Sequence, residues 1–281
     1  MPSALATRVV TGIALVAGVL AALFLLPPAG WGVVVLVIVV AAADEWARLA
    51  GFRGPLRAWF VGVTLAGAAA LLWTLVDPGL HSRAVIAACG VATLFWILVG
   101  TPSVLTRSQP ATALARAASG WIVLLGAFVA IVALQMRSAW LALAAMAIVW
   151  IADTAAYFSG RRFGRHKLAP AISPGKTWEG ALGALIAVGV YALALVPLAE
   201  RADYRGVHDA SAIAAWLSFA VALAALSIVG DLHESLLKRR AGAKDSGAIL
   251  PGHGGVLDRI DALVAAMPPA ALAATLFLRV A

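Results

Sequence analysis

Residues 235–261 read SLLKRRAGAKDSGAILPGHGGVLDRID, and their types are those of phosphate chemistry. Lys238, Arg239, Lys244 and Arg259 exceed what the neighbouring carboxylates need and suit an oxygen-rich anion. Gly252, Gly254 and Gly255 flank His253 and allow the backbone to approach a ligand closely, although most glycine runs are only turns. His253 alone reads more readily as a hydrogen-bonded loop residue than as a ligand. Asp231 precedes the segment, with Glu234, Ser235 and Lys238 at helical spacings of three, four and seven, so all four share one helix face. Asp258 and Asp261, three apart, share a face at the start of the next apolar run. If those two runs are consecutive antiparallel helices, Asp231, Asp258 and Asp261 meet, and the loop brings in Asp245. Clustered carboxylates without thiolates select a hard cation, Mg²⁺ or Mn²⁺, rather than zinc. The bland alternative is a set of structural ion pairs such as Asp258 with Lys238.

A second polar stretch has the same character. Asp153 to Tyr157 leads through Arg161, Arg162, Arg165 and Lys167 to Ser173-Pro174-Gly175-Lys176-Thr177. This lacks the spacing of a Walker P-loop and a strand before it, which excludes that mode of ATP binding. What it supplies is a tight turn delivering Ser173, Lys176, Thr177 and backbone N–H groups to a helix start, a favourable phosphate position. The four preceding cations also suit a basic inner rim or anionic headgroups. Trp178 reads as an interfacial anchor. Asp44-Glu45-Trp46, at the end of an earlier apolar run, reads as packing or as an ion pair with Arg48 or a neighbouring loop.

The elements that must carry these residues are membrane helices. Of 281 residues 63% are hydrophobic and 12% charged, about half the charge of an ordinary soluble domain. Continuous apolar runs fall at about 9–26, 31–47, 58–76, 84–100, 119–135, 139–157, 178–198, 211–230 and 262–280. They are too long and unbroken for barrel strands. The expected fold class is all-α: a polytopic integral membrane protein of about nine transmembrane helices with two polar cytoplasmic loops, 158–177 and 235–261. Residues 1–118 would form four N-terminal spans, and 119–281 a catalytic membrane domain of five spans. The first run is read as a retained span rather than a signal peptide.

With the N-terminus inside, only Arg83, Arg137, Arg201, Arg205 and Arg279 of the 21 Lys and Arg residues fall outside. The net charge of +8 is thus topological, and no nucleic-acid partner is expected. The outer segment 199–210, His208 included, reads as a solvated loop, and Cys89 reads as packing.

The 235–261 segment resembles the phosphatidate cytidylyltransferase (CDP-diglyceride synthase) family. Ser235, Lys238, Arg239, Lys244, Asp245, Gly247, Pro251, His253, Gly254, Gly255, Asp258, Arg259 and Asp261 occupy the positions of its motif. The 153–180 stretch is also similar, through Asp153, Tyr157, Gly160, Ser173 to Thr177, Glu179 and Gly180. The resemblance implies CTP and phosphatidate as partners at the cytoplasmic face of a bacterial-type plasma membrane, CDP-diacylglycerol and diphosphate as products, and dependence on Mg²⁺. It suggests a homodimer. In this reading Asp231 and Asp258 hold one or two metal ions, with Asp245 and Asp261 in or beside their ligand shells. Lys176, Lys238, Arg239, Lys244 and Arg259 hold phosphates. The catalytic candidates are Lys244, Asp245, His253 and Arg259; the substrate-binding candidates are Ser173, Lys176, Thr177, Ser235, Lys238, Arg239, Gly254 and Gly255. Rival readings are a CTP-dependent enzyme with a polyprenyl or ether-lipid acceptor, a transporter of phosphorylated solutes, and a membrane scaffold without chemistry.

Overall fold

The computed structural model describes residues 4–201, 209–250 and 252–278, without the side chains of 4–9 and 199–201. The side chains of Arg8 and Arg201, and residues Arg205, His208, Pro251 and Arg279, lie outside that description. In chain order the helices are α1 (Ala4–Leu25), α2 (Pro28–Leu49), α3 (Gly54–Val76), α4 (His81–Phe95), α5 (Thr101–Thr106), α6 (Ala113–Arg137) and α7 (Ala139–Phe163). After a β-hairpin, β1 (Lys167–Ala169) and β2 (Ser173–Thr177), come α8 (Trp178–Arg201), α9 (Ala210–Arg240), α10 (Leu257–Ile260) and α11 (Leu263–Phe277). Six segments are long and apolar enough to cross a membrane: α3, α4 through α5, α6, α7, α8 up to Leu198, and α9. The apolar helices Val10–Leu25 and Leu263–Phe277 are shorter.

Local chemistry sets the helix starts. Thr112, Ser138 and Asp209 cap α6, α7 and α9 by accepting the N–H of Ala115, Leu141 and Ala212, which satisfies donors a helix start leaves over. Pro28 opens α2 at a position where its missing N–H costs nothing.

Packing is organised on α6, which is mostly buried along its apolar length, while the other five crossing segments are mostly not. Helices α2, α3, α4, α7 and α11 surround it. The outer surface of the bundle exposes Val37, Trp59, Trp73, Leu98, Ile186 and Val190. In water such a belt would drive aggregation; it is the surface a bilayer covers. The chain is an integral membrane protein, and its core is continuous across residue 118.

Two irregular places are matched to each other. Between α4 and α5 the chain makes a π-helical turn, Trp96–Gly100. In α11, Pro268 has no N–H to give the carbonyl of Val264. The Trp96 indole N–H takes up that carbonyl at 3.0 Å, so one residue of the turn satisfies the group that proline orphans.

The polar stretch expected as a loop over 158–177 is more ordered than that. Helix α7 continues to Phe163, and an antiparallel hairpin follows, pairing Lys167 with Thr177 and Ala169 with Ser173. The hairpin holds because its turn residue Ile172 is buried against Leu232 and Leu236 of α9 and Val104 of α5, a burial worth about 1.5–3 kcal/mol. Arg239 Nε donates to the Ile172 carbonyl at 3.2 Å.

Candidate functional site

The two polar stretches come together at one end of the bundle, where α2, α9 and the 241–261 segment meet. The organising group there is Glu45, in the last turns of α2 and fully buried. Its carboxylate accepts from Ser246 Oγ at 2.8 Å, Val256 N at 3.0 Å and Leu257 N at 2.8 Å. A buried carboxylate is costly unless its oxygens are satisfied, and here they are satisfied by residues more than 200 positions away in sequence. A Cβ on Gly247 or Gly255 would collide with the Glu45 carboxylate, and one on Gly255 would also meet Ser246 Oγ. Those glycines leave room for Glu45. Gly254 instead needs its freedom at φ +81°, where it closes a tight turn by accepting from Leu250 N at 3.0 Å.

Asp258 is the second clamp on the same segment. Its Oδ2 accepts from Ser246 N at 2.9 Å and Gly255 N at 2.8 Å, and its Oδ1 from Lys238 Nζ at 2.6 Å. Lys238 also pairs with the buried Glu234 one turn back on α9. Burial by itself would raise the Asp258 carboxyl; the Lys238 ammonium and the two backbone N–H groups outweigh it and hold the group at about 2. Most acceptor capacity of Asp258 is spent inside the protein.

The carboxylates of the other face are not satisfied in this way. Asp231, on α9, pairs with Lys176 of β2 at 2.5 Å and accepts from Ser235 Oγ at 3.3 Å. Asp153 of α7 lies within Coulombic reach of both Asp231 and Lys176. Asp261, in the turn between α10 and α11, accepts only from Ala262 N, at 2.8 Å, among the described residues. Its carboxyl is pushed up to about 8, first by burial and then by the charges of Asp231 and Asp153. Asp153 and Asp231 thus share Lys176, and Asp261 adds a third charge within Coulombic reach of both carboxylates, a field that favours the arrival of positive charge.

The sequence-predicted residues divide by what they touch. Lys244, Asp245 and Arg259 are exposed, and their side chains make no hydrogen bond or ion pair among the described residues. His253 lies beside Gly12 of α1, 3.5 Å from where a Cβ on that glycine would stand. Ser173 is half-buried on β2. Thr177 is buried, and its Oγ1 accepts from Gly180 N at 3.1 Å, capping α8 while Gly160 and Gly164 close over it. Ser235 and Lys238 face Asp231 and Asp258 respectively. Arg239 gives its Nε to the hairpin, as described above.

The Asp44-Glu45-Trp46 cluster resolves into three separate jobs. Asp44 pairs side-on with Arg57 of α3, at 2.7 Å for each of two hydrogen bonds. Glu45 lies 4.0 Å from Arg48 but gives its short contacts to the loop. Trp46 stacks on His233, which Phe95 and Trp96 also enclose. Sequence reasoning missed Glu45 and Ser246 as parts of the site. The available signal was an acidic residue at the end of an apolar run, too far into the helix to be solvated freely.

Mg²⁺ was the expected cofactor. Among the described residues no three His, Cys, Asp or Glu side chains converge closely enough to hold an ion by themselves. Mg²⁺ does not need such a cage, since it is usually held by one or two carboxylates with substrate phosphates and water completing its octahedron. Asp231 and Asp261 fit that requirement in donor chemistry and in mutual repulsion. Asp258 fits it less well, because Lys238 already occupies Oδ1.

A sequence profile described as "Cytidylyltransferase family" matches residues 6–277. A phosphatidate cytidylyltransferase of Haemophilus influenzae is 36% identical over 281 aligned residues, covering 93% of this chain and 95% of the relative. One of Pseudomonas aeruginosa is 38% identical over 267 residues, covering 93% of each. One of Brucella suis is 49% identical over 120 residues, which is 43% of this chain and 41% of the relative.

Proposed function

Since the chain belongs to the cytidylyltransferase family, we propose that it transfers the cytidylyl group of CTP to phosphatidate, giving CDP-diacylglycerol and diphosphate. The observation that carries this reading is the Lys176–Asp231 pair at 2.5 Å, set among the repelling carboxylates Asp153 and Asp261. It joins the two polar stretches in one place where cations and carboxylates both remain available to a ligand. The uneven distribution of Lys and Arg supports a cytoplasmic orientation for this end of the helices, the side on which CTP is found. The homodimer suggested by resemblance belongs to the same reading, and cross-linking in native membranes tests it.

The reaction needs no covalent enzyme intermediate. A phosphatidate phosphate oxygen attacks the α-phosphorus of CTP in line; the bond to the β-phosphate oxygen breaks and diphosphate leaves with its electron pair. Such a transfer is governed by positioning and charge neutralisation. Lys244 and Arg259, exposed and unspent, meet the triphosphate. Lys176 exchanges its partner Asp231 for a phosphate oxygen. Glycines 252, 254 and 255 allow the triphosphate to approach the backbone. Asp231 and Asp261 would hold a divalent ion, with the remaining capacity of Asp258 Oδ1 beside them. When bound, such an ion neutralises phosphate charge and stabilises the departing diphosphate.

The test is direct. Detergent-solubilised protein with labelled CTP, phosphatidate and Mg²⁺ should form a labelled CDP-lipid, and omission of either phosphatidate or Mg²⁺ should abolish it. Absence of any CDP-lipid in the complete mixture overturns the reading.

A further inference from the structure

A second polar cavity, of about 550 Å³, opens at the same end of the bundle between the α2–α3 turn, the segment before α6 and the end of α9. Arg48, Arg53, Arg57, Arg116 and Arg240 line it together with Gln109, and no carboxylate does. Apart from Arg48, which reaches toward Glu45, none of these residues touches the clamp or the carboxylate face described above.

Basic residues at inner helix ends are expected of any membrane protein, so charge alone says little. What sets this place apart is unspent capacity inside a concavity. The buried Nε of Arg116 and the buried Nε2 of Gln109 have no hydrogen-bond partner; native proteins rarely leave such donors unfilled. Arg116 gives Nη1 to the carbonyls of Pro110 and Ala111, and Arg240 gives Nη2 to the carbonyl of Arg107, so backbone rather than anions holds them. Arg53 has no partner among the described residues. Arg57 is neutralised by Asp44, and Arg48 lies 3.7 Å from the same carboxylate and 4.0 Å from Glu45. Several guanidinium groups facing one space, with buried donors unmet, fit a phosphate group.

The shape identifies the carrier of that phosphate. A groove of about 540 Å³ shares Gly54 and Arg57 with the cavity, is lined also by Asp44, which Arg57 neutralises, and continues along α3 past Ala58, Val61 and Gly62. Since α3 is a crossing segment, the groove leads from the arginines toward the hydrocarbon. No side chain stands within 4 Å of a Cβ placed on Gly62. A polar pocket continuous with an apolar track is the form of a phospholipid, head and chain.

We propose that this cavity and groove bind an anionic phospholipid at a site separate from the reacting one. The phosphate sits among Arg48, Arg53, Arg116 and Arg240, and an acyl chain lies along α3. The lipid would bridge α2, α3, α6 and α9, the helices that carry Glu45 and Asp231, and would brace the clamp without taking part in transfer. The inference does not depend on the reaction proposed above.

The test uses the purified full-length chain in detergent, with no CTP present, and follows the thermal unfolding midpoint during titration with short-chain phosphatidylglycerol, phosphatidylcholine or inorganic phosphate. Phosphatidylglycerol should raise the midpoint in a saturable manner, and the other two should not. Arg116→Gln should shift the half-saturating lipid concentration upward by about tenfold, the loss expected for one charge-assisted contact. If Arg116→Gln does not fold, the double variant Arg53→Gln/Arg240→Gln gives the same reading from the rim. Equal titration of variant and wild type overturns the site. An equal rise with phosphatidylcholine overturns the headgroup assignment, and an equal rise with inorganic phosphate overturns the lipid in favour of a free anion.

Discussion

Asp258 and Asp261 stand one helical turn apart, yet the protein treats them in opposite ways. Asp258 is saturated by Lys238 and two backbone N–H groups and is held at about 2; Asp261 has one backbone donor, faces Asp231 and Asp153, and is pushed up to about 8. The same contrast separates two regions. One is a clamp of Glu45, Ser246, Lys238 and Asp258, in which polar groups are spent on holding the 241–261 segment. The other is a face of Asp153, Asp231, Asp261 and Lys176, fringed by Lys244 and Arg259, which in the proposed reading meets the ligand. The lesson is that one motif contains both the frame and the chemistry, and that saturation by the protein tells them apart.

The contrast can be broken most severely at Glu45. Glu45→Ala leaves Ser246 Oγ and the Val256 and Leu257 N–H groups without their acceptor, which should cost about 3–5 kcal/mol and abolish CDP-lipid formation. Thermal unfolding and activity should fall together, and retained stability would mean the clamp is not structural. Asp231→Asn should instead separate the two readouts: turnover should fall by about 10²-fold or more while the unfolding midpoint stays within a few degrees of wild type. A joint loss would place Asp231 in the frame.

Gly255→Ala sets a Cβ against Ser246 Oγ and Glu45 and should destabilise by about 1–3 kcal/mol, with a smaller loss of activity than Glu45→Ala; an unchanged melting curve would remove the packing argument. The pH dependence should also follow the carboxylate face. Because the folded value for Asp261 lies above its ordinary 3.8, ionising it disfavours the folded state, so ligand-free protein should lose stability as pH rises from about 4 through about 8. Asp261→Asn should flatten that slope in a series of melting curves. The Asp258 contribution runs the other way, present above its ordinary value and lost only as pH falls toward 2. The smallest effect is expected at the fringe. Lys244→Gln should raise KM for CTP by about tenfold with little change in kcat or stability, and an unchanged KM would take Lys244 out of the phosphate site.

Much of this was determined by sequence alone. Apolar runs of membrane length, short of charge, leave the backbone no alternative to helices in lipid, and among the described residues each run is mostly helical. The spacing of Asp231, Ser235 and Lys238 put them on one face, and the motif residues from Ser235 to Asp261 carried the resemblance to the family. What only the tertiary structure decided is who satisfies whom. The partner of Ser246, and the group for which Gly255 leaves room, is Glu45, on a helix over 200 residues earlier, and no local pattern encodes a contact across that distance. The bland pairing of Asp258 with Lys238 is present in the structure, while Asp231 found its cation in Lys176, on a hairpin held in place by Ile172. Residue types announce which groups can bind a phosphate or a metal; packing fixes which of them still have a lone pair or an N–H to offer, because burial obliges every polar group to spend its capacity on whatever the fold brings near.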